Sequence, residues 1–331
     1  MELRPLGKTG LTVTRIGLGL AALGRPGYMT LGHANDLGHR YEPAAMQAHA
    51  HTVLDAAYAA GIRYFDVARS YGEGERFLAS WLAARDLAPG RVTVGSKWGY
   101  TYTAGWQVEA EKHEIKEHSL AVLRRQIGES RGILGSHLAL YHIHSATLDS
   151  GVLDNAEVLH ELARLRSQGL CIGLSTTGLR QGDTLRRAME IVLDGLPLFN
   201  CVQATWNVLE PSAAPALAEA RAAGLGVIVK EALANGRLTP RNPDPAFAAK
   251  RRVLDETAER LRTTLDALSL AAVLAQPWAD VVLSGAATVE QARSNVAALD
   301  VRWDDRAAAD LASLVQEPEE YWKARAGLRW N

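Results

Sequence analysis

The sequence predicts an α/β fold, a (β/α)8 TIM barrel, and three observations carry that expectation. Eight short apolar runs recur along the chain. Amphipathic stretches rich in Ala, Leu and Arg separate them. No convincing G-x-G-x-x-G loop follows the first run, which disfavours the alternative, a doubly wound open sheet.

The first fifteen residues, ending in "LTVTR", read as an N-terminal β-hairpin turned at Lys8, Thr9 and Gly10, ahead of the barrel. The eight barrel runs are "RIGLGL", "RYFDVA", "VTVGSKWG", "LALYHIHS", "CIGLSTT", "CVQATWN", "GVIVKEAL" and "DVVLSGA". Each is short and nearly continuous in apolar residues, as parallel strands covered on both faces require. Between them, "AEVLHELARLRSQG" places apolar residues at 156, 158, 159, 162, 163 and 165, one face of a helix that Gly169 can end. "PSAAPALAEARAAG" and "TVEQARSNVAAL" repeat that pattern. Asp154 and Thr288 are expected N-caps. Long loops are expected at 25–42, rich in Gly and His, and at 236–249, which carries three prolines before a helix near 250. One further helix is expected after Asp300, then a tail containing Tyr321, Trp322 and Trp330. That tail has three possible places: against the barrel wall, over its mouth, or on a neighbouring subunit. No linker interrupts residues 1–331, so one domain is expected.

Composition narrows the function. The formal net charge is −1 and no basic run occurs, which argues against nucleic-acid binding. The N-terminus lacks a basic start before an apolar stretch, and no apolar run approaches the ~20 residues of a membrane helix, so a cytoplasmic protein is expected. Cys171 and Cys201 read as reduced thiols. His33 and His39 lack accompanying ligands, so no metal site is expected there. The oligomeric state is not legible.

In such barrels the reacting groups sit at the C-terminal ends of the strands. Polar residues break the apolar runs there: Asp66 ends the second run, Lys97 lies late in the third, and His144 lies late in the fourth. Tyr71 stands just beyond the second. His142 shares a strand face with His144 but lies deeper, as a core histidine.

These segments resemble the aldo-keto reductases. "FDVARSYG" is similar to their "FDTA..YG" signature, "VGSKWG" to their lysine strand and "LYHIHS" to their histidine strand. "RPLGKTGLTVTRIGLG", "GLSTT", "VQATWN" and "SGAATVEQARSN" resemble their hairpin, cofactor strands and last helix, so the likeness covers nearly the whole chain. It implies Tyr71 as general acid/base, Asp66 and Lys97 as the charge pair beside it, and His144 as the fourth member. An ammonium beside a phenol favours the phenolate and lowers a pKa of ~10.

The resemblance also implies a nicotinamide dinucleotide held without a Rossmann fold. The matching positions are Leu20, Asp66, Ser175, Thr176 and Gln203; Lys230, Ala232, Leu233, Asn235 and Arg241; and Ser284, Gly285, Ala286, Thr288, Gln291 and Asn295. Two departures stand out: Thr176 replaces a common asparagine, and Lys230 replaces a common aromatic residue. NADP(H) is the favoured cofactor and NAD(H) the alternative, with Arg241 the first candidate for a 2′-phosphate, before Arg237 and Arg293. Arg69, Trp98, Tyr100 and Trp206 are expected to line the substrate pocket. The implied function is carbonyl–alcohol interconversion on a small carbonyl or sugar substrate. The alternatives are an NAD-dependent aldose 1-dehydrogenase and, in another class, a nucleotide-sensing regulatory barrel subunit.

Overall fold

The computed structural model describes residues 1–331. A hairpin of β1 (Leu3–Pro5) and β2 (Thr12–Thr14) precedes the barrel. Gly7, at φ 50°, lies so close to the backbone of 224–226 that an added Cβ would stand 2.3 Å from the Gly226 nitrogen. The hairpin therefore seats tightly on the barrel, and its Leu6 and Val13 pack with Tyr64, Leu140, Cys201 and Ile228.

Eight parallel strands close the barrel: β3 (Ile16–Gly19), β4 (Tyr64–Asp66), β5 (Thr93–Trp98), β8 (Leu138–Ala146), β9 (Cys171–Thr176), β12 (Cys201–Thr205), β13 (Gly226–Lys230) and β14 (Val281–Ser284). β14 pairs with β3 to complete the ring. All eight expected strands are present. Two short hairpins are additions that the sequence reading did not contain: β6 (Tyr100–Tyr102) with β7 (Glu114–Lys116), and β10 (Val192–Leu193) with β11 (Leu196–Pro197). The larger apolar core fills the layer between barrel and helices, where Trp81, Phe65 and Leu78 are buried.

Two details differ from expectation. The helix Ala156–Ser167 is capped by Asn155, whose side chain accepts from the Val158 amide, and not by Asp154. A single residue shift decides this, because the cap must stand immediately before the first helical turn. Thr288 does cap Val289–Val296, accepting from the Gln291 amide at 3.2 Å. After Asp300 there are two helices, Asp305–Ala312 and Pro318–Ala326. Pro318 occupies a first-turn position, where its missing N–H costs nothing. The second helix carries Tyr321 inward, where its hydroxyl oxygen accepts from Asn207 Nδ2 at 2.9 Å. No helix is long and apolar enough to cross a membrane.

Candidate active site

Asp66 is the last residue of β4 and points into the barrel, 2% exposed. Its carboxylate accepts from Lys97 Nζ and, at 3.0 Å each, from Tyr64 Oη and Gln203 Nε2. Lys97 Nζ also donates to the Val67 carbonyl at 3.1 Å and to Tyr71 Oη at 3.3 Å. Tyr71 meets the His144 ring edge-on, with centroids 5.6 Å apart. Tyr100 also tilts against the His144 ring, with centroids 4.9 Å apart. The four residues of the expected tetrad are thus assembled at one rim.

Their electrostatics differ from the sequence expectation. Burial first, and the Asp66 carboxylate second, push the Tyr71 phenol well above its ordinary pKa. The ammonium of Lys97 is countered by Asp66, so Tyr71 is held as a protonated donor. Burial, then Lys97 and Lys230, drive the His144 imidazole well below its ordinary value, so it is neutral. Its Nδ1 is buried without a partner, leaving Nε2 as the nitrogen open to the cavity. His142 sits deeper, with Nε2 3.2 Å from Cys201 Sγ, and burial lowers its pKa to about 3.

A cavity of about 590 Å³ opens beside these groups. Gln203, Lys230, Ala232, Leu233 and Asn235 line it, as do Arg241, Ser284, Gly285, Ala286, Gln291 and Asn295. Leu20 does not: it is wholly buried, while its neighbours Gly19 and Ala21 face the cavity. Ser175 lies behind the wall, accepting from the Ser145 amide at 2.8 Å. Thr176 is wholly buried with an unpartnered hydroxyl, and Thr177 takes the lining position. Thr288 serves its helix as a cap and stands off the wall.

Of the expected pocket residues, Tyr100 lines the cavity; Arg69, Trp98 and Trp206 do not. Strand alternation explains two of these. Lys97 points inward, so Trp98 points outward, onto His118. Gln203 points inward, so Trp206, three residues on, faces outward onto Trp278. Arg69 turns away to pair with Glu75 at 2.5 Å and Glu129 at 3.0 Å.

The sequence reading missed a second charged set. Arg25 is 2.9 Å from Glu114 of β7, and its guanidinium lies over the rings of Tyr71, Tyr28 and Trp330. Arg325, from the last helix, donates to both oxygens of Glu231. Burial pushes the Glu231 carboxyl up, but Arg325 and Lys230 overcome it and hold it at about 2. Asn331 pairs its backbone with Tyr28 and donates its side chain to the Thr30 carbonyl at 2.8 Å. The tail therefore crosses the loop that lines the cavity. The local sequence carries little sign of these partners, which stand up to 303 residues apart; only the doublet Lys230–Glu231 at a strand end hinted at them.

The model of the aldo/keto reductase family matches residues 15–316. This chain belongs to that family. The aldo/keto reductase is 28% identical over 312 residues to an L-galactose dehydrogenase of Arabidopsis thaliana, covering 90% of this chain and 88% of that one. It is 26% identical to an NADH-specific methylglyoxal reductase of Escherichia coli K12, covering 97% and 99%. An aldo-keto reductase structure from Bacillus halodurans, in holo form, shares the fold with a TM-score of 0.72, at 20% identity over 96% of this chain and 97% of that one. The family makes this chain an oxidoreductase that uses a nicotinamide cofactor. The residues present fit such a cofactor. Asn295 Oδ1 is buried at the cavity wall without a partner, Gly285 leaves open space where a Cβ would stand, and the 285–288 segment leads into a helix N-terminus, which favours phosphate.

Proposed function

We propose that this aldo/keto reductase interconverts a carbonyl and an alcohol with Tyr71 as general acid and base. The observation that carries this reading is the placement of Tyr71 Oη, 3.3 Å from Lys97 Nζ and beside His144 at the cavity wall. A bound nicotinamide supplies the hydride in reduction and accepts it in oxidation. In reduction, the Tyr71 hydroxyl gives its proton to the carbonyl oxygen as negative charge builds there. The Lys97 ammonium then lies against the phenolate that remains, and Asp66 keeps that ammonium in place. The neutral His144 donates from Nε2 to the same substrate oxygen and fixes its position.

Charge at the far end of the cavity supports NAD(H) over NADP(H), the reverse of the sequence expectation. Arg241 lines that end, but Asp36 engages it through both terminal nitrogens. Asp266 and Glu290 also line it, so three carboxylates face one guanidinium. A 2′-phosphate would add negative charge there, whereas a ribose hydroxyl can donate to Asp36. Titration with NADH and NADPH, followed by a panel of aldehydes, ketones and aldoses, tests both parts. Tighter NADH binding and carbonyl-dependent loss of NADH absorbance are expected; a protein that binds both nucleotides yet turns over no carbonyl or alcohol contradicts the reading.

A further inference from the structure

The end of the cavity that Tyr71 and His144 occupy carries an unequal number of charges. Apart from the Asp66–Lys97 pair, its cations are Arg25, Lys230 and Arg325, and its anions are Glu114 and Glu231. Arg25 is matched by Glu114 at 2.9 Å. Both oxygens of Glu231 are taken by Arg325. Lys230 Nζ rests 2.8 Å from the Thr205 hydroxyl and 3.5 Å from the shared Glu231 carboxylate. Its side chain is only 15% exposed, so little water solvates the remaining charge. An ammonium held in this way favours a counter-anion brought by a ligand.

The direction of the side chain indicates which ligand. β13 lies between β12 and β14. Lys230 reaches across to Thr205 on β12, while the Ser284–Ala286 segment, which fits cofactor phosphate, follows β14 on the other side. Its charge is also felt by His144. Lys230 therefore faces the reacting end and turns from the wall where phosphate fits.

We propose that the substrate of this site carries a carboxylate in addition to its carbonyl or hydroxyl group, and that Lys230 is the residue that binds it. The inference rests on the assignment of Tyr71 and His144 as the reacting end.

Binding of butyrate and of butyramide to the NADH complex tests it, because the pair share a shape and differ in charge. The phosphates of NADH are then already in place. Calorimetry is expected to show butyrate binding ~10-fold or more tightly than butyramide, as a charge-assisted contact implies. Lys230→Met is expected to abolish that preference, and Lys230→Arg to retain it. Equal binding of the two probes by the unaltered protein overturns the proposal. So does a preference that survives in Lys230→Met, which would assign the anion to Arg25 or Arg325. A folded Lys230→Met protein, judged by its melting curve, that no longer binds NADH overturns it as well by placing Lys230 on the cofactor. Aldehyde-dependent NADH oxidation is measured separately, so a failure of hydride transfer is not confused with a failure of anion binding.

Discussion

Asp36 holds Arg241 through both terminal nitrogens of the guanidinium group, and its Oδ1 also accepts from Gln291 Nε2 at 2.9 Å. The contact joins the loop after β3 to the loop after β13 across the far end of the cavity. It neutralises Arg241, the first of the three arginines that the sequence offers for a 2′-phosphate.

Asp36→Asn should therefore move cofactor choice toward NADPH. The substitution removes a repelling charge and frees Arg241, an exchange worth about tenfold in the ratio of the two dissociation constants. Arg241→Ala should leave NADH the preferred nucleotide. Fluorescence titration with each nucleotide measures the ratio, and a ratio unchanged in Asp36→Asn contradicts the assignment.

The Glu231–Arg325 pair ties the last helix to the end of β13. Glu231 has φ 56°, a left-handed conformation that a side chain adopts at a cost of ~1–3 kcal/mol, so its partners must hold it there. Arg325→Met leaves a nearly buried carboxylate with only Lys230 at 3.5 Å and the Thr205 hydroxyl at 3.3 Å beside it. A loss of about 3 kcal/mol in urea unfolding is expected, at the lower end for a broken buried pair. Glu231→Gln with Arg325→Met should recover part of it. A single variant as stable as the parent would show that the pair carries no net stability.

Trp330 stacks on His113 with ring centroids 3.9 Å apart and covers Arg25 at 4.6 Å. Deleting Trp330 and Asn331 should expose Arg25 and Tyr28 and raise KM several-fold, with a smaller change in the melting temperature. Steady-state kinetics on the shortened chain measures this. An unchanged KM would leave the tail a wall element only.

Burial lowers the pKa of His33 and His118 to about 4 each, and that of His142 to about 3, from 6.5. Below pH 6.5 the unfolded chain binds protons that the folded chain refuses. Stability is therefore full above that pH and falls as pH drops toward 4. Each pKa unit is worth ~1.4 kcal/mol, so the combined loss is several kcal/mol. His33 has no partner on either ring nitrogen, so His33→Leu should flatten the fall between pH 6.5 and 4.5. Melting temperatures across that range measure it; a slope identical to the parent's contradicts the account.

The barrel and the tetrad were legible because their signals are local. A parallel strand is a short apolar run, and Asp66, Lys97 and His144 are the polar residues that interrupt three such runs. Side-chain direction was legible in part. The alternation that puts His142 and His144 on one strand face also sends Trp98 outward from inward Lys97, and Trp206 outward from inward Gln203, away from the pocket. What was hidden depends on loops and on distance. Arg25 meets Glu114 through an excursion hairpin, and Arg325 meets Glu231 only after the last helix has crossed the rim. Desolvation was hidden too: the poorly hydrated cavity wall, and then the Asp66 carboxylate, raise the Tyr71 pKa, where the motif alone implies that Lys97 lowers it.

Turnover by Tyr71→Phe tests the central claim most directly. The substitution removes one hydroxyl at 3.3 Å from Lys97 Nζ and leaves the ring against His144. Pre-steady-state and steady-state rates of carbonyl reduction should fall by ~10²-fold or more, as the loss of a positioned general acid requires, while the NADH dissociation constant shifts little. A Tyr71→Phe protein that keeps most of its reduction rate would contradict the account and move the proton to another donor.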